Sequence, residues 1–279
     1  MPVTDADVER WLREDLGHHD VTNDVPGETE GRLVAKEPGV AAGIDAAATV
    51  FEYLGVSVVD RVAEGAELSE GEVALRVQGS AQSILRAERV AVNIAGHASG
   101  IATKTAEAVD AAEAAVAEPA ATAEPPAIAG TRKTTPGLRG VEKRAIAAAG
   151  GDTHRLDLSH MVMVKDNHVA ELGMEGAIER FRERASFATK IEVEVESSED
   201  APRAAEAGAD IVLLDNMVPA EVERAIDLVA ESDADALLEA SGGITTETVP
   251  DYATTGVDII SLGSLTHSAS SLDYSFRTC

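Results

Sequence analysis

The chain has 279 residues, 50 of them Asp or Glu against 23 Lys or Arg, for a formal charge of -27. A surface this acidic excludes nucleic acid as a general partner, since that binding depends on a basic footprint. It suits the salt-rich cytoplasm of a halophile, where screening cuts the reach of like charges to about 3 Å at 1 M. The one cysteine, Cys279, excludes an intrachain disulfide, and no segment reads as a membrane span or a signal peptide. The expectation is a cytoplasmic protein with no membrane partner.

Residues 4–16 carry a capping Thr4 and then Val8, Trp11, Leu12 and Leu16 at helical spacing, which predicts an amphipathic helix with Trp11 as a core anchor. Strand-like patterns over 31–35, 56–62 and 71–77, with a helix over 44–54, predict a small α/β sandwich. A helix follows over 81–95, and Gly96 to Gly100 predict an interruption before AGHASGIATKTAEAV resumes as a second helix. Residues 106–130 are rich in Ala and contain Pro119, Pro125 and Pro126, so they read as half helix and half connection leading to a strand. The boundary is therefore placed between a first domain, 1–105, joined by the tail 268–279, and a second domain, 106–267.

In the second domain apolar runs end in polar residues: 161–165, 191–195, 211–214, 236–239 and 259–262. The last four recur at about the length of a βα unit, 20 to 25 residues. The fold class this implies is α/β, an incomplete TIM-like α/β barrel with an N-terminal α/β sandwich domain, and active-site groups are expected where the strands end.

Basic residues gather in AGTRKTTPGLRG, residues 129–140. Arg132 and Lys133 precede a turn set by Pro136 and Gly137 and read either as receptors for carboxylate or phosphate or as surface cations. His154 and Arg155 in GGDTHR add a second cationic pair, and Lys165 ends an apolar strand, so a small ligand with several negative groups is expected. Arg139 reads equally as a substrate contact or a structural ion pair. Glu194 and Glu196 share one side of their strand, and Asp215 closes IVLLD. Glu194 and Asp215 suit sugar hydroxyls and Mg²⁺ held indirectly through substrate and water, whereas the scattered His residues do not suggest a zinc cage. ASGGI (Ser241, Gly242, Gly243) and SLGSLTHS (Gly263, Ser264, His267) offer two glycine loops for a terminal phosphate.

Seven blocks carry a resemblance: AERVAVNIAGHASGIAT, TRKTTPGLR, GGDTHRLDLSHMVMVKDNH, IEVEVES, GADIVLLDNM, EASGGI and GVDIISLGSLTHS. Together they resemble the quinolinate phosphoribosyltransferase family over nearly the whole chain, least well over 106–130. The resemblance implies transfer from 5-phosphoribosyl-1-diphosphate to quinolinate with decarboxylation, giving nicotinate mononucleotide, diphosphate and carbon dioxide with Mg²⁺. It implies that Arg132, Lys133, His154, Arg155 and Lys165 surround the quinolinate carboxylates. Glu194 and Asp215 would then serve ribose and metal, with Lys165, Glu194 and Asp215 as the catalytic set. Ser241, Gly242, Gly243, Gly263, Ser264 and His267 would line the sugar phosphate. It further implies a homodimer in which Arg89 reaches the neighbouring active site. Alternatives are a nicotinate phosphoribosyltransferase, a phosphosugar aldolase with Lys165 as Schiff base, or an anion-binding dimer without catalysis.

Overall fold

Thr4 fixes the start of the first helix: its hydroxyl accepts from the Asp7 N–H while the Asp7 carboxylate accepts from the Thr4 N–H. In the computed structural model, which describes residues 3–117 and 124–278, this helix is α1 (Asp5–Leu16). There follow β1 (Glu28–Ala35), β2 (Gly39–Val40), α2 (Ile44–Tyr53), β3 (Ser57–Arg61), β4 (Glu67–Leu68), β5 (Val73–Ser80) and α3 (Ala81–Val116). Next come β6 (Ala127–Gly130), α4 (Arg139–Ala148), β7 (Val162–Val164), α5 (Asp166–Leu172), α6 (Met174–Arg182), β8 (Ile191–Val195) and α7 (Ala201–Glu206). The chain ends with β9 (Ile211–Asp215), α8 (Pro219–Ala230), β10 (Leu237–Ser241), α9 (Val249–Ala253), β11 (Ile259–Leu262), α10 (Ser264–His267) and β12 (Tyr274–Thr278). Pro119 lies outside the described residues.

Two compact units result, one of Met1–Ala106, Thr134–Gly150 and Leu265–Cys279, the other of Glu107–Lys133 and Gly151–Ser264. The first contains an antiparallel sheet in the order β12-β1-β5-β3. Alternation decides which face is covered: Leu33 of β1 pairs with Leu75 of β5 and Phe276 of β12, and Phe276 stacks on the buried Phe51 of α2 at 5.5 Å. Tyr274 ties the returning tail to α3, since its hydroxyl lies 2.9 Å from Ser99 Oγ, which accepts from the Ala42 N–H at 3.0 Å. Burial pushes the Tyr274 phenol up to about 12.

Two expectations change here. The interruption at Gly96 to Gly100 does not exist, because α3 runs unbroken from Ala81 to Val116. A Cβ on Gly96 would come within 2.9 Å of Leu272 O, and one on Gly100 within 2.9 Å of the Ser270 carbonyl carbon. These glycines let the tail lie against the helix, and Leu272 N–H donates to Gly96 O at 2.9 Å. The second change concerns residues 134–150, which the sequence reading placed in the second domain and which group with the first unit. Val141, Ala145 and Ile146 of α4 join the first core. Fully buried Glu142 accepts from the Thr135 N–H at 3.2 Å and lies 2.9 Å from His97 Nε2.

The second unit holds a six-stranded sheet in the order β6-β11-β10-β9-β8-β7, all parallel. One face is apolar and buried, through Ile128, Val164, Val193, Val195, Val212, Leu214, Leu238, Ala240, Ile260 and Leu262. Helices α6, α7 and α9 pack on the strands. β6 gains a further single bridge, Ala129 to Asp152, reinforced by Asp152 N–H to Ile128 O at 2.7 Å and Gly130 N–H to Asp152 O at 3.0 Å. This is an open sheet with helices against it, an incomplete α/β barrel. No helix among the described residues is long and apolar enough to cross a membrane.

Candidate active site

Parity along the strands collects the polar side chains on the face opposite the apolar one. Register places Glu194 beside Leu213, Leu213 beside Glu239, and Glu239 beside Ile259; the next row is Asp215, Ser241, Ser261 and Ala129. Because all six strands are parallel, their carboxyl ends lie along one edge of the sheet, where open α/β sheets bind ligands. Arg132 and Lys133 follow β6, Ser264 follows Gly263 at the end of β11, and Ser241 to Gly243 end β10. Asp215 ends β9, Glu194 lies near the end of β8, and Lys165 follows β7. The structure therefore brings the second unit's expected residues to one edge of one sheet.

The local geometry shows how each is held. Lys165 Nζ donates to Glu194 Oε2. The backbone N–H of Lys165 donates to His168 Nδ1 at 3.0 Å, and the His168 ring meets Phe181 edge-on at 5.4 Å, so the histidine of KDNH caps α5. Asn216 adopts φ 57, donates its backbone N–H to Ser241 O at 2.8 Å and its side-chain amide to Asp215 Oδ2 at 2.7 Å. Ser261 Oγ donates to Ser241 Oγ at 2.9 Å. Gly242 and Gly243, at φ +94 and +66, turn the chain away beside Asn216. Glu194 Oε1 and Asp215 Oδ1 carry no hydrogen bond among the described residues, so both carboxylates keep an oxygen of the kind that suits Mg²⁺ directly or through water.

His154 and Arg155 enter from the segment bridged to β6. His154 has φ 50, and its N–H donates to Asp152 Oδ1 at 2.5 Å. Its Nε2 lies 3.0 Å from Glu239 Oε2 and 3.6 Å from Glu192 Oε2. Arg155, 8% exposed, reaches Met163 Sδ at 3.2 Å. Glu192 and Glu239 were not singled out from the sequence, yet both are 0% exposed. Burial first, and the Glu239 charge second, push the Glu192 carboxyl up to about 8 against the opposing pull of His154, Arg155 and Lys165. The available signal was parity: Glu192 shares a face with Glu194, and Glu239 with Ser241.

Arg89 and His267 belong to the first unit. Arg89 lines a cavity of about 580 Å³ there with Arg10, Trp11, Asn93 and Pro136, so Trp11 lines a cavity wall and is only partly buried. His267 Nδ1 lies 2.6 Å from Ser268 Oγ. Arg139 Nε donates to Thr134 Oγ1 at 2.9 Å, bracing the turn of TTPGLR. Glu196 falls beyond β8 and is exposed.

Known proteins share this fold over nearly the whole chain. Residues 19–99 match the quinolinate phosphoribosyl transferase N-terminal domain and residues 101–277 the corresponding C-terminal domain. The chain is 42% identical over 277 residues to the probable nicotinate-nucleotide pyrophosphorylase [carboxylating] of Methanothermobacter thermautotrophicus, covering 97% of each. It is 41% identical over 281 residues to the human nicotinate-nucleotide pyrophosphorylase [carboxylating], covering 99% of this chain and 92% of that one. Among solved structures it is similar to NadC from Streptococcus pyogenes, at TM-score 0.87 and 38% identity, covering 99% of this chain and 98% of that one. The nicotinate-nucleotide pyrophosphorylase of Francisella tularensis is also similar, at TM-score 0.88 and 27% identity, covering 100% and 98%.

Proposed function

The chain belongs to the quinolinate phosphoribosyl transferase family, and from that premise we propose how its strand ends divide the reaction. The activity is quinolinate phosphoribosyl transfer in NAD biosynthesis, a carboxylating nicotinate-nucleotide pyrophosphorylase reaction. Quinolinate and 5-phosphoribosyl-1-diphosphate give nicotinate mononucleotide, diphosphate and carbon dioxide. The observation that carries the division of roles is the single sheet edge shared by three polar groups of residues: the cations after β6 and β7, the carboxylates of β8 and β9, and the glycine turns after β10 and β11.

Arg132, Lys133, His154, Arg155 and Lys165 hold the two ring carboxylates, Arg through paired donors and Lys as a point charge. Fixing both carboxylates aims the pyridine nitrogen at the anomeric carbon, which converts a bimolecular encounter into an oriented one. Glu194 and Asp215 face the ribose, where positive charge develops as diphosphate leaves. Glu194 and Asp215 are the residues that would hold Mg²⁺, through water and substrate oxygens, and the ion would supply charge neutralisation to the departing diphosphate. Ser241, Gly242, Gly243, Gly263 and Ser264 present amides and hydroxyls to the sugar phosphate, and His267 is assigned to the same group. The ribosylated ring nitrogen then acts as the electron sink for loss of the adjacent carboxylate. Membership of this family favours this reading over a Schiff-base aldolase with Lys165 as the nucleophile.

The direct test is product analysis with 5-phosphoribosyl-1-diphosphate, Mg²⁺ and either quinolinate or nicotinate. Carbon dioxide and nicotinate mononucleotide from quinolinate are expected; turnover of nicotinate alone would remove the assignment. The proposal also covers a cytoplasmic homodimer adapted to high salt, with Arg89 serving the site of the second subunit. Mixing Arg89→Ala and Lys165→Ala subunits should restore about a quarter of wild-type activity through one intact site per mixed dimer. No recovery after verified subunit exchange would exclude that role.

A further inference from the structure

We propose that Glu239, with Glu192 buried beside it, is a positioning residue for quinolinate: Glu239 holds His154 by its Nε2 edge and balances the cations gathered to receive the dicarboxylate. The inference rests on the assignment of His154, Arg155 and Lys165 to that clamp.

Two carboxylates with no exposure are costly in an interior unless cations or hydrogen bonds compensate them. The compensation found here comes from the expected substrate-binding set itself. Glu239 sits in β10 and Glu192 in β8, flanking β9 on the same face, and His154 Nε2 reaches both, at 3.0 and 3.6 Å. A carboxylate only accepts, so the short contact to Glu239 puts a proton on Nε2 and assigns substrate contact to the Nδ1 edge of the ring. The backbone is set to match: His154 is at φ 50, unusual for a residue with a side chain, and its N–H is fixed by Asp152, which is itself bridged to β6. Two tethers, one from Glu239 and one from Asp152, therefore aim one imidazole.

The other charged groups around the pair are also accounted for. Glu192 pairs in register with Met163 of β7, whose sulfur contacts Arg155, and Lys165 lies two residues further on the same side. Lys165 is tied to Glu194, the next carboxylate on the Glu192 face. Without the Glu239 charge beneath them, His154, Arg155 and Lys165 would repel one another whenever quinolinate is absent. With it, the receptor stays assembled and less reorganisation is left to binding. The same three side chains, His154, Glu192 and Glu239, have ligand atoms within 4.8 Å of one another and are of the types that bind divalent ions. The neighbouring guanidinium and ammonium favour the positioning role, since an added dication would sit among charges of its own sign.

Steady-state kinetics with both substrates separate the possibilities. Glu239→Leu should raise KM for quinolinate at least about tenfold while KM for 5-phosphoribosyl-1-diphosphate stays within about twofold and kcat changes less. Glu239→Gln keeps an acceptor for Nε2–H and should bring the rise down to about threefold; if the Leu variant fails to fold, this rise alone decides. An unchanged quinolinate KM in both variants, beside a raised one in His154→Ala, overturns the positioning role and leaves the clamp assignment standing. An unchanged quinolinate KM in His154→Ala overturns both. Equal losses for the two substrates that Gln does not rescue mark Glu239 as structural only. One equivalent of a transition metal in purified wild type, lost in Glu239→Gln, replaces the proposal with a metal site.

Discussion

Gly242 shows how little room the glycine turn after β10 leaves. Its φ of +94 already disfavours any side chain, and a Cβ would stand 2.7 Å from Asn216 N, the group that joins β9 to β10 by donating to Ser241 O. Gly242→Ala should therefore lower kcat/KM for 5-phosphoribosyl-1-diphosphate at least about tenfold, more than it affects quinolinate, as read by varying each substrate in turn. On the other side of the site, Arg132→Ala or Arg155→Ala should each lose about 30-fold or more in kcat/KM for quinolinate, the scale of one charge-assisted contact. Near wild-type kinetics would remove that residue from the clamp. Glu192 contributes through its proton. Its folded carboxyl is pushed up to about 8 from an ordinary 4.5, so the folded chain binds the proton more tightly than the unfolded one. The stability this supplies is complete below about pH 4.5 and declines until pH passes about 8, by up to about 1.4 kcal/mol per pH unit. Glu192→Gln should flatten that decline relative to wild type in thermal melts taken from pH 5 to 9; parallel curves would contradict the shift. The strand-end placement of Lys165, Glu194 and Asp215 was legible because each stands where an apolar run stops. Glu192 and Glu239 were not, since an acidic residue inside a strand ordinarily reads as its solvent side. Only the neighbouring strands' register makes that side an interior.

Helix α3 sets the same problem at the scale of an element. Glycine costs about 1 kcal/mol relative to alanine in a helix interior, and two of them four residues apart predict a break. What offsets that cost is a tail segment nearly the whole chain away, whose backbone lies where side chains on Gly96 and Gly100 would be. Gly100→Ala would improve local helix propensity and still destabilise, by about 1 to 3 kcal/mol, because the Ser270 and Ser271 backbone must move. Denaturant unfolding of the variant gives the sign directly, and stabilisation would show that the tail yields easily. The strands of the second unit were more legible because their signal is local: β8 and β11 have the bounds their apolar patterns predict, 191–195 and 259–262. The affiliation of α4 was not local. Its membership in the first unit depends on Val141, Ala145 and Ile146 meeting that core, and on Glu142 binding Thr135 and His97, contacts no window of sequence contains.

For the whole molecule, 50 acidic against 23 basic residues leave a formal charge of -27, an excess of carboxylates that no pairing within the chain can remove. Exposed pairs such as Arg13–Glu9 and Arg203–Glu175 each contribute about 0 to 1 kcal/mol and are weakened by salt. Repulsion among the excess carboxylates is screened by the same salt, and it acts over many more partners. These two effects have opposite signs, so a salt titration tells which one governs. The Debye length falls from about 10 Å at 0.1 M to about 3 Å at 1 M, beyond which only groups in near contact still interact. With this charge imbalance the repulsive sum is the larger, and the melting temperature should rise steeply with KCl up to about 1 M and more slowly above it. A variant exchanging ten exposed Glu or Asp residues away from both the carboxyl-end edge of the parallel sheet and the ion pairs for Gln or Asn should melt higher than wild type at 0.1 M KCl and show a much shallower rise. If both chains gain equally from salt, preferential exclusion of the salt from the protein surface is responsible, and the acidic surface serves solubility alone.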